Sequence, residues 1–177
     1  MTFFSSLAIA QESALQMPEK LIPVTSYTTK NGLVGNNIQD VVQDDEGFLW
    51  IATQKGLSRF DSIEFVNFSK DKSNPDSLPD ILIEELINMS QNQIWMSVND
   101  VGIVTFDKTT QKFSSIKNNQ SKLFTLPNNN LYGIDKDQNN NIWFSLYGEG
   151  VYQWNVKQKR FFPHMATDKN AWLNTEQ

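Results

Sequence analysis

The chain offers few side chains that could do covalent chemistry. It has one histidine, His164 in the run FFPHM, and no cysteine. A catalytic nucleophile needs a base, and the base needs a third group to orient it. Nothing in this sequence supplies that set, so no catalytic residue is expected and His164 reads as a surface residue. Lack of cysteine removes disulfides, thiolate metal sites and thiol redox motifs. The stretch DKDQNNN, Asp135 to Asn141, begins like a calcium loop, with oxygen donors at Asp135, Asp137 and Asn139. Such a loop needs glycine at its sixth position and a bidentate glutamate at its twelfth. Here those places hold Asn140 and Leu146. A strand-to-strand turn is expected, as at DDEG, Asp44 to Gly47, with no metal and no cofactor.

Tryptophans could form a sugar-stacking platform, but their spacing points to packing. Trp50, Trp95 and Trp143 stand 45 and 48 residues apart in FLWIAT, QIWMSV and NIWFSL. Twelve positions upstream stand Ile38, Ile83 and Leu131; nine upstream, Val41, Leu86 and Ile134. Downstream come GLSRFD, GIVTFD and GVYQWN, with glycines Gly56, Gly102 and Gly150. Each closes on an aromatic followed by Asp or Asn, and a further aromatic follows at Phe65, Phe113 and Phe161. Side chains in equivalent places of every unit share a packing task, so the indoles are expected to fill gaps between units.

Each unit reads as four short strands; in the first they span about Asn37–Gln43, Phe48–Thr53, Leu57–Asp61 and Ile63–Phe68. The helix-like run ILIEELINM, Ile81 to Met89, falls in register with the other inner strands and is expected to be one. Asp44 and Asp137 are expected to accept backbone hydrogen bonds in their turns, and Gly47 to take positive φ. Units of this length with four strands are β-propeller blades. The expected fold is all-β: about three four-stranded antiparallel blades, an incomplete ring.

The stretch GLVGNNIQDVVQDDEGFLWIATQKGLSRFD resembles the two-component regulator propeller repeat, and the resemblance covers Tyr27 to about Phe162. The second unit departs at MSQNQ, and the third at DQNNN, which lacks the turn glycine. The resemblance implies an extracytoplasmic sensor region of a membrane receptor, followed by a transmembrane helix and a histidine kinase, often hybrid, or a diguanylate cyclase. Some members of that family sense oligosaccharides. Kinase, cyclase and membrane-spanning motifs do not occur in these residues. Three blades do not close a ring, since propellers use about 4–8. The chain is expected to be an N-terminal fragment of a longer periplasmic receptor anchored in the inner membrane.

Residues 1–10 end in Ala8-Ile9-Ala10 and read as a truncated signal peptide lacking its basic start. Residues 11–29 are expected to hold a lone outer strand in LIPVTSYTT. Blades are expected at 30–70, 71–117 and 118–165, and 166–177 as a tail or the start of a next blade. The chain has 177 residues, 39% of them hydrophobic and 20% charged, and a net charge of −5. No basic stripe is present, so nucleic acid is not an expected partner.

Function should then reside where the units fail to repeat. The loop after each second strand varies: Gln54-Lys55, Asn99-Asp100-Val101, Tyr147-Gly148-Glu149. The polar residues before the inner strands, Asn36, Asn37 and Asn128 to Asn130, point to the same location for a ligand. Candidate ligand contacts are Lys55, Asn99, Asp100, Tyr147, Glu149, Asn37 and Asn129, groups suited to a hydroxyl-rich small molecule or oligosaccharide. The expectation is a non-enzymatic ligand sensor. Alternatives are a propeller enzyme, such as a lyase, with its site in other blades, and a protein-interaction scaffold. Expected protein partners are the missing blades and receptor domains, and a second copy in a homodimer.

Overall fold

The computed structural model describes residues 23–89, 92–116, 126 and 128–164. The expected signal peptide and the 166–177 tail lie outside these. Twelve strands follow one another: β1 (Ile38–Gln43), β2 (Leu49–Thr53), β3 (Gly56–Phe60), β4 (Phe65–Phe68), β5 (Ile83–Met89), β6 (Gln93–Val98), β7 (Gly102–Asp107), β8 (Lys112–Ser115), β9 (Leu131–Lys136), β10 (Ile142–Leu146), β11 (Gly150–Asn155) and β12 (Arg160–His164). They form three four-stranded antiparallel meanders, β1–β4, β5–β8 and β9–β12, each a propeller blade. The run Ile83–Met89 is a strand: its pairing with β6 overrides the local helical pattern. Each inner strand carries an irregularity near its start, between Ile38 and Asp40, between Ile83 and Glu85, and opposite Phe144 and Ser145.

The turns explain where strands stop. In the first blade the Asp44 carboxylate accepts the Glu46 and Phe48 amides, both at 3.0 Å, and Gly47 takes φ +90°. Asp137 does the same for Asn139 and Asn141, at 2.8 Å each. Where the other blades lack the glycine, Asn92 and Asn140 take φ +64° and +63°. Asparagine tolerates this region because its short amide bonds locally. The β4 strand begins at Phe65 rather than Ile63, since Asp61 holds the Ile63 and Glu64 amides at 2.8 Å in the preceding turn.

A lone outer strand does not form over residues 23–28. Pro23 has no N–H to donate, and no neighbouring strand lies alongside this segment among the described residues. The Thr28 side chain instead caps a 3-10 turn at Thr29–Asn31. Tyr27 lies on Phe60 and Phe65, with ring centroids at 4.8 and 5.8 Å.

Blades are joined by burying one sheet face against the next. Trp50 is 1% exposed and Trp95 6%. Trp50, Ala52 and Leu57 of the first blade form one cluster with Leu78, Ile94, Met96, Val104 and Phe106 of the second. Trp95 and Ile103 meet Ile142, Phe144 and Tyr152 of the third in the same manner. A buried leucine precedes each inner strand, at Leu33, Leu78 and Leu126. The cross-strand aromatic pairs Phe60–Phe65, Phe106–Phe113 and Trp154–Phe161 have centroids at 4.5, 4.6 and 4.6 Å. Burying one indole contributes on the order of 4–6 kcal/mol of transfer free energy. A single hydrogen bond contributes about 1 kcal/mol, so apolar burial sets the seam and polar groups set its register.

Those polar groups repeat across seams. Asp40 accepts the Leu86 amide of the next blade at 2.8 Å, and Glu85 accepts the Ile134 amide of the blade after it at 2.7 Å. At the other end of the first seam, the Asp44 carboxylate, wholly buried, accepts Trp50 Nε1 at 2.8 Å and Lys108 Nζ at 3.2 Å. Burial pushes this carboxyl up. The Trp50 and Lys108 bonds, the Lys108 charge and the Phe48 amide outweigh burial and hold it below the ordinary value.

Replacing Asp44 by Ala strands the Trp50 N–H and the Lys108 ammonium inside the seam. The expected loss is about 3 kcal/mol in urea denaturation. The stabilisation from a lowered carboxyl is complete above its unfolded pKa near 3.8 and is lost as the pH falls through the folded value. The gap in stability between wild type and Asp44→Asn should therefore shrink as the pH drops below 4, about the unfolded value of the carboxyl. Gly56 has φ +131°, and an added Cβ would meet the Phe68 carbonyl oxygen at 2.4 Å. Gly56→Ala is expected to cost more than about 2 kcal/mol. Gly148→Ala, with φ +74° and open space, should cost about 1 kcal/mol by the same measurement.

Candidate functional site

The turns β2–β3, β6–β7 and β10–β11 and the residues that lead into β1, β5 and β9 lie at one end of the blades, because each meander starts and turns there. All seven candidate contacts fall on this rim. Their surroundings differ from blade to blade.

In the first blade the rim is a built polar hollow. The Gln54 amide donates to the Asn37 carbonyl at 3.2 Å, and Asn37 Nδ2 donates to Gln54 Oε1 at 2.8 Å. Thr53 Oγ1, fully buried, receives the Lys55 amide at 3.0 Å and donates to the Gly56 carbonyl at 3.0 Å, which sets the turn. Asn36 Oδ1 accepts the Thr29 amide at 2.8 Å and ties the 3-10 turn to the rim. Together Thr29, Gly35, Asn36, Asn37, Gln54 and Lys55 line a cavity of about 310 Å³. Lys55 has no carboxylate within ion-pair distance among the described residues. Its ammonium and the neighbouring amides are donors suited to hydroxyl or carboxylate oxygens.

In the second blade Asp100 takes φ +60°, and Asn99 Nδ2 donates to its carboxylate at 3.2 Å. Asn129, from the third blade, reaches across the seam to the Asp100 carbonyl at 3.5 Å. In the third blade the Tyr147 amide donates to the Asn130 carbonyl at 3.0 Å, and Asn128 Nδ2 donates to the Tyr147 carbonyl at 3.3 Å. The Glu149 amide closes its turn by donating a hydrogen bond to the Leu146 carbonyl at 3.0 Å. The structure thus brings Lys55 to Asn37 within the first blade and Asn129 of the third blade to Asp100 of the second.

Sequence reasoning missed Thr29 and Tyr132. Tyr132 is exposed, and its ring lies 5.7 Å from that of Tyr147. It stands where the other blades carry Gln39 and Glu84. The failure to repeat was the available signal, hidden because Tyr132 lies within a strand and not a loop.

A second cleft, of about 200 Å³, lies at the opposite end of the first seam against Phe48, Trp50, Arg59, Phe106 and Lys108. Its cations are engaged: Lys108 with Asp44, and Arg59 over the Phe48 ring at 4.7 Å. His164 packs on Trp143 at 4.5 Å, and burial pushes its pKa down. The Asp137 carboxylate is occupied by the Asn139 and Asn141 amides, Asn141 Nδ2 and Trp143 Nε1. Among the described residues no group of three His, Cys, Asp or Glu is placed to hold a metal ion. No described helix is long and apolar enough to cross a membrane.

The fold has counterparts among solved structures. The extracellular domain assigned to the hybrid two component system BT3049 of B. thetaiotaomicron superposes with TM-score 0.72 and 24% identity, over 80% of this chain. The extracellular domain assigned to the one component system BT4673 of the same organism gives 0.59 and 22%, over 85%. In each case the chain spans 20% of the solved chain's length. No curated protein matches the chain. Residues 32–55 match the family model described as two component regulator propeller. The matched segment runs from the entry to the first blade through β2 into the β2–β3 turn, and the second and third blades repeat the same four-stranded fold.

Proposed function

We propose that the chain is part of a non-enzymatic, extracytoplasmic sensor propeller, an N-terminal portion of a periplasmic receptor region whose kinase or cyclase output is carried elsewhere in the protein. Its ligand is a hydroxyl-rich small molecule or oligosaccharide bound at the rim where β2–β3 and its counterparts turn. The observation that carries this reading is the cavity at Asn36, Asn37, Gln54 and Lys55. Its turn residues Gln54 and Lys55 do not repeat between blades, while Asn36 and Asn37 recur in the third blade as Asn129 and Asn130. Loops on a rigid scaffold are where binding residues concentrate. The share of the solved extracellular domains that this chain spans supports a longer ring, and their description as parts of signalling systems supports the sensor role.

Thermal-shift titration of the complete propeller against a panel of neutral and acidic oligosaccharides tests the reading. At least one compound should raise the melting temperature. Lys55→Ala and Asn37→Ala should each weaken that compound's binding by about tenfold, as expected for loss of one or two hydrogen bonds. If none shifts the melting temperature, the scaffold reading takes its place.

A further inference from the structure

The face of the third blade that points away from the second is built like the faces already buried at the two seams, yet it is open. Leu57 and Ile103 are 0% and 1% exposed in their seams; Val151, at the same place in β11, is 36% exposed. Trp143 stands where Trp50 and Trp95 are buried, but is only half-buried. With Tyr132, Gly133 and Ser145 it borders a broad hollow in this open face.

The polar ends of the seams say what should cover it. In the first seam Asp44 is met by Lys108, the residue directly after the Phe106-Asp107 pair of the next blade. In the second seam the place of Asp44 is taken by Met89 and that of Lys108 by Val156, and both belong to one apolar cluster. Carboxylate goes with cation and apolar with apolar. The third blade returns to the first pattern: Asp137 binds Trp143 Nε1 at 3.0 Å, as Asp44 binds Trp50. Its other partners are neutral amides, and no cation reaches it among the described residues. The inner end differs. Asp40 and Glu85 each reach the next blade's amide, but Gly133 stands at their place and has no side chain to do so.

We propose that this face receives a further blade of the same polypeptide, and that this blade carries lysine or arginine directly after its aromatic–Asp or aromatic–Asn pair, opposite Asp137. A second copy of this chain, docking through its first blade, would set Ser62 there and leave the carboxylate without a cation. Chain direction favours the same-polypeptide source: the connections 69–82 and 116–130 each carry the chain from an outer strand to the inner strand of the next blade. The inference rests on the reading that the ring continues past three blades.

The test extends the chain. His164 is followed by a second copy of residues 69–116, whose Ile94, Met96, Val104 and Phe106 face already fits a tryptophan-bearing partner face. One version keeps the lysine equivalent to Lys108 and one replaces it by serine. Amide exchange is read at Leu131–Lys136, with β5–β7 of the original second blade as the folding control, and sedimentation velocity reports association. The lysine version should slow exchange in β9 by about tenfold over the parent, and the serine version, or Asp137→Asn, should lose most of that protection. Equal protection in the lysine and serine versions overturns the cation opposite Asp137 and leaves the continued ring standing. No protection in either version overturns both. A parent chain that dimerises with β9 protected overturns the proposal in favour of a second copy.

Discussion

The structure depends on one constraint: a four-stranded blade is a single layer, and the apolar side chains of its faces are buried only against a neighbouring blade. Trp50, Ala52 and Leu57 share one face of a single-layered sheet, where Phe68 of the same blade lies beside Trp50 at 6.0 Å and the next blade covers the rest. They are buried only when Ile94, Met96 and Phe106 of the next blade close over them. Stability is therefore shared between neighbours, as in any stacked repeat. The positions that repeat most strictly, Trp and the aromatic before Asp or Asn, are those that meet across a seam or across the β3–β4 hairpin.

Within that constraint the polar groups have room to vary. The Asp44–Trp50–Lys108 group and the Met89–Val156 pair occupy the same place in successive seams. A buried charge is tolerated only with its counter-charge, because either one alone in the seam costs several kcal/mol. The two residues therefore change together, although they lie in different blades. Asp40 and Glu85 act differently: each accepts a single backbone amide of the next inner strand, which sets how far one blade sits along its neighbour. The rim turn residues Gln54 and Lys55 lie outside the apolar clusters of both seams. The hollow at Asn37, Gln54 and Lys55 is built there.

Much of this was legible in the amino-acid order. The spacing of Trp50, Trp95 and Trp143 shows the blades, and the aligned neighbours place β5 as a strand against its helical pattern. Asp44 and Asp137 as turn acceptors follow from residue type and position. Of the lone outer strand expected at Leu21–Thr29, the first two residues lie outside the described ones, and residues 23–28 have no neighbouring strand among the described residues to pair with. Among the candidate site residues, Lys55 was legible as a variable loop residue and Asn37 as a polar residue before the inner strand, but their sharing of one cavity was not. Tyr132 was passed over because a residue inside a repeating strand was assumed to repeat.

Sequence by itself determined the period, the strand count per blade and which residues must be buried, since these follow from local geometry and from side-chain type at fixed intervals. Only the tertiary structure decided which groups meet: Asp44 with Lys108, Asp40 with Leu86, Glu85 with Ile134, Tyr132 with Tyr147. The physical reason is distance along the chain. Pairs within a hairpin are joined by a short turn whose chemistry is written beside them. Pairs across a seam are tens of residues apart, and their meeting is set by the twist and stacking of whole sheets.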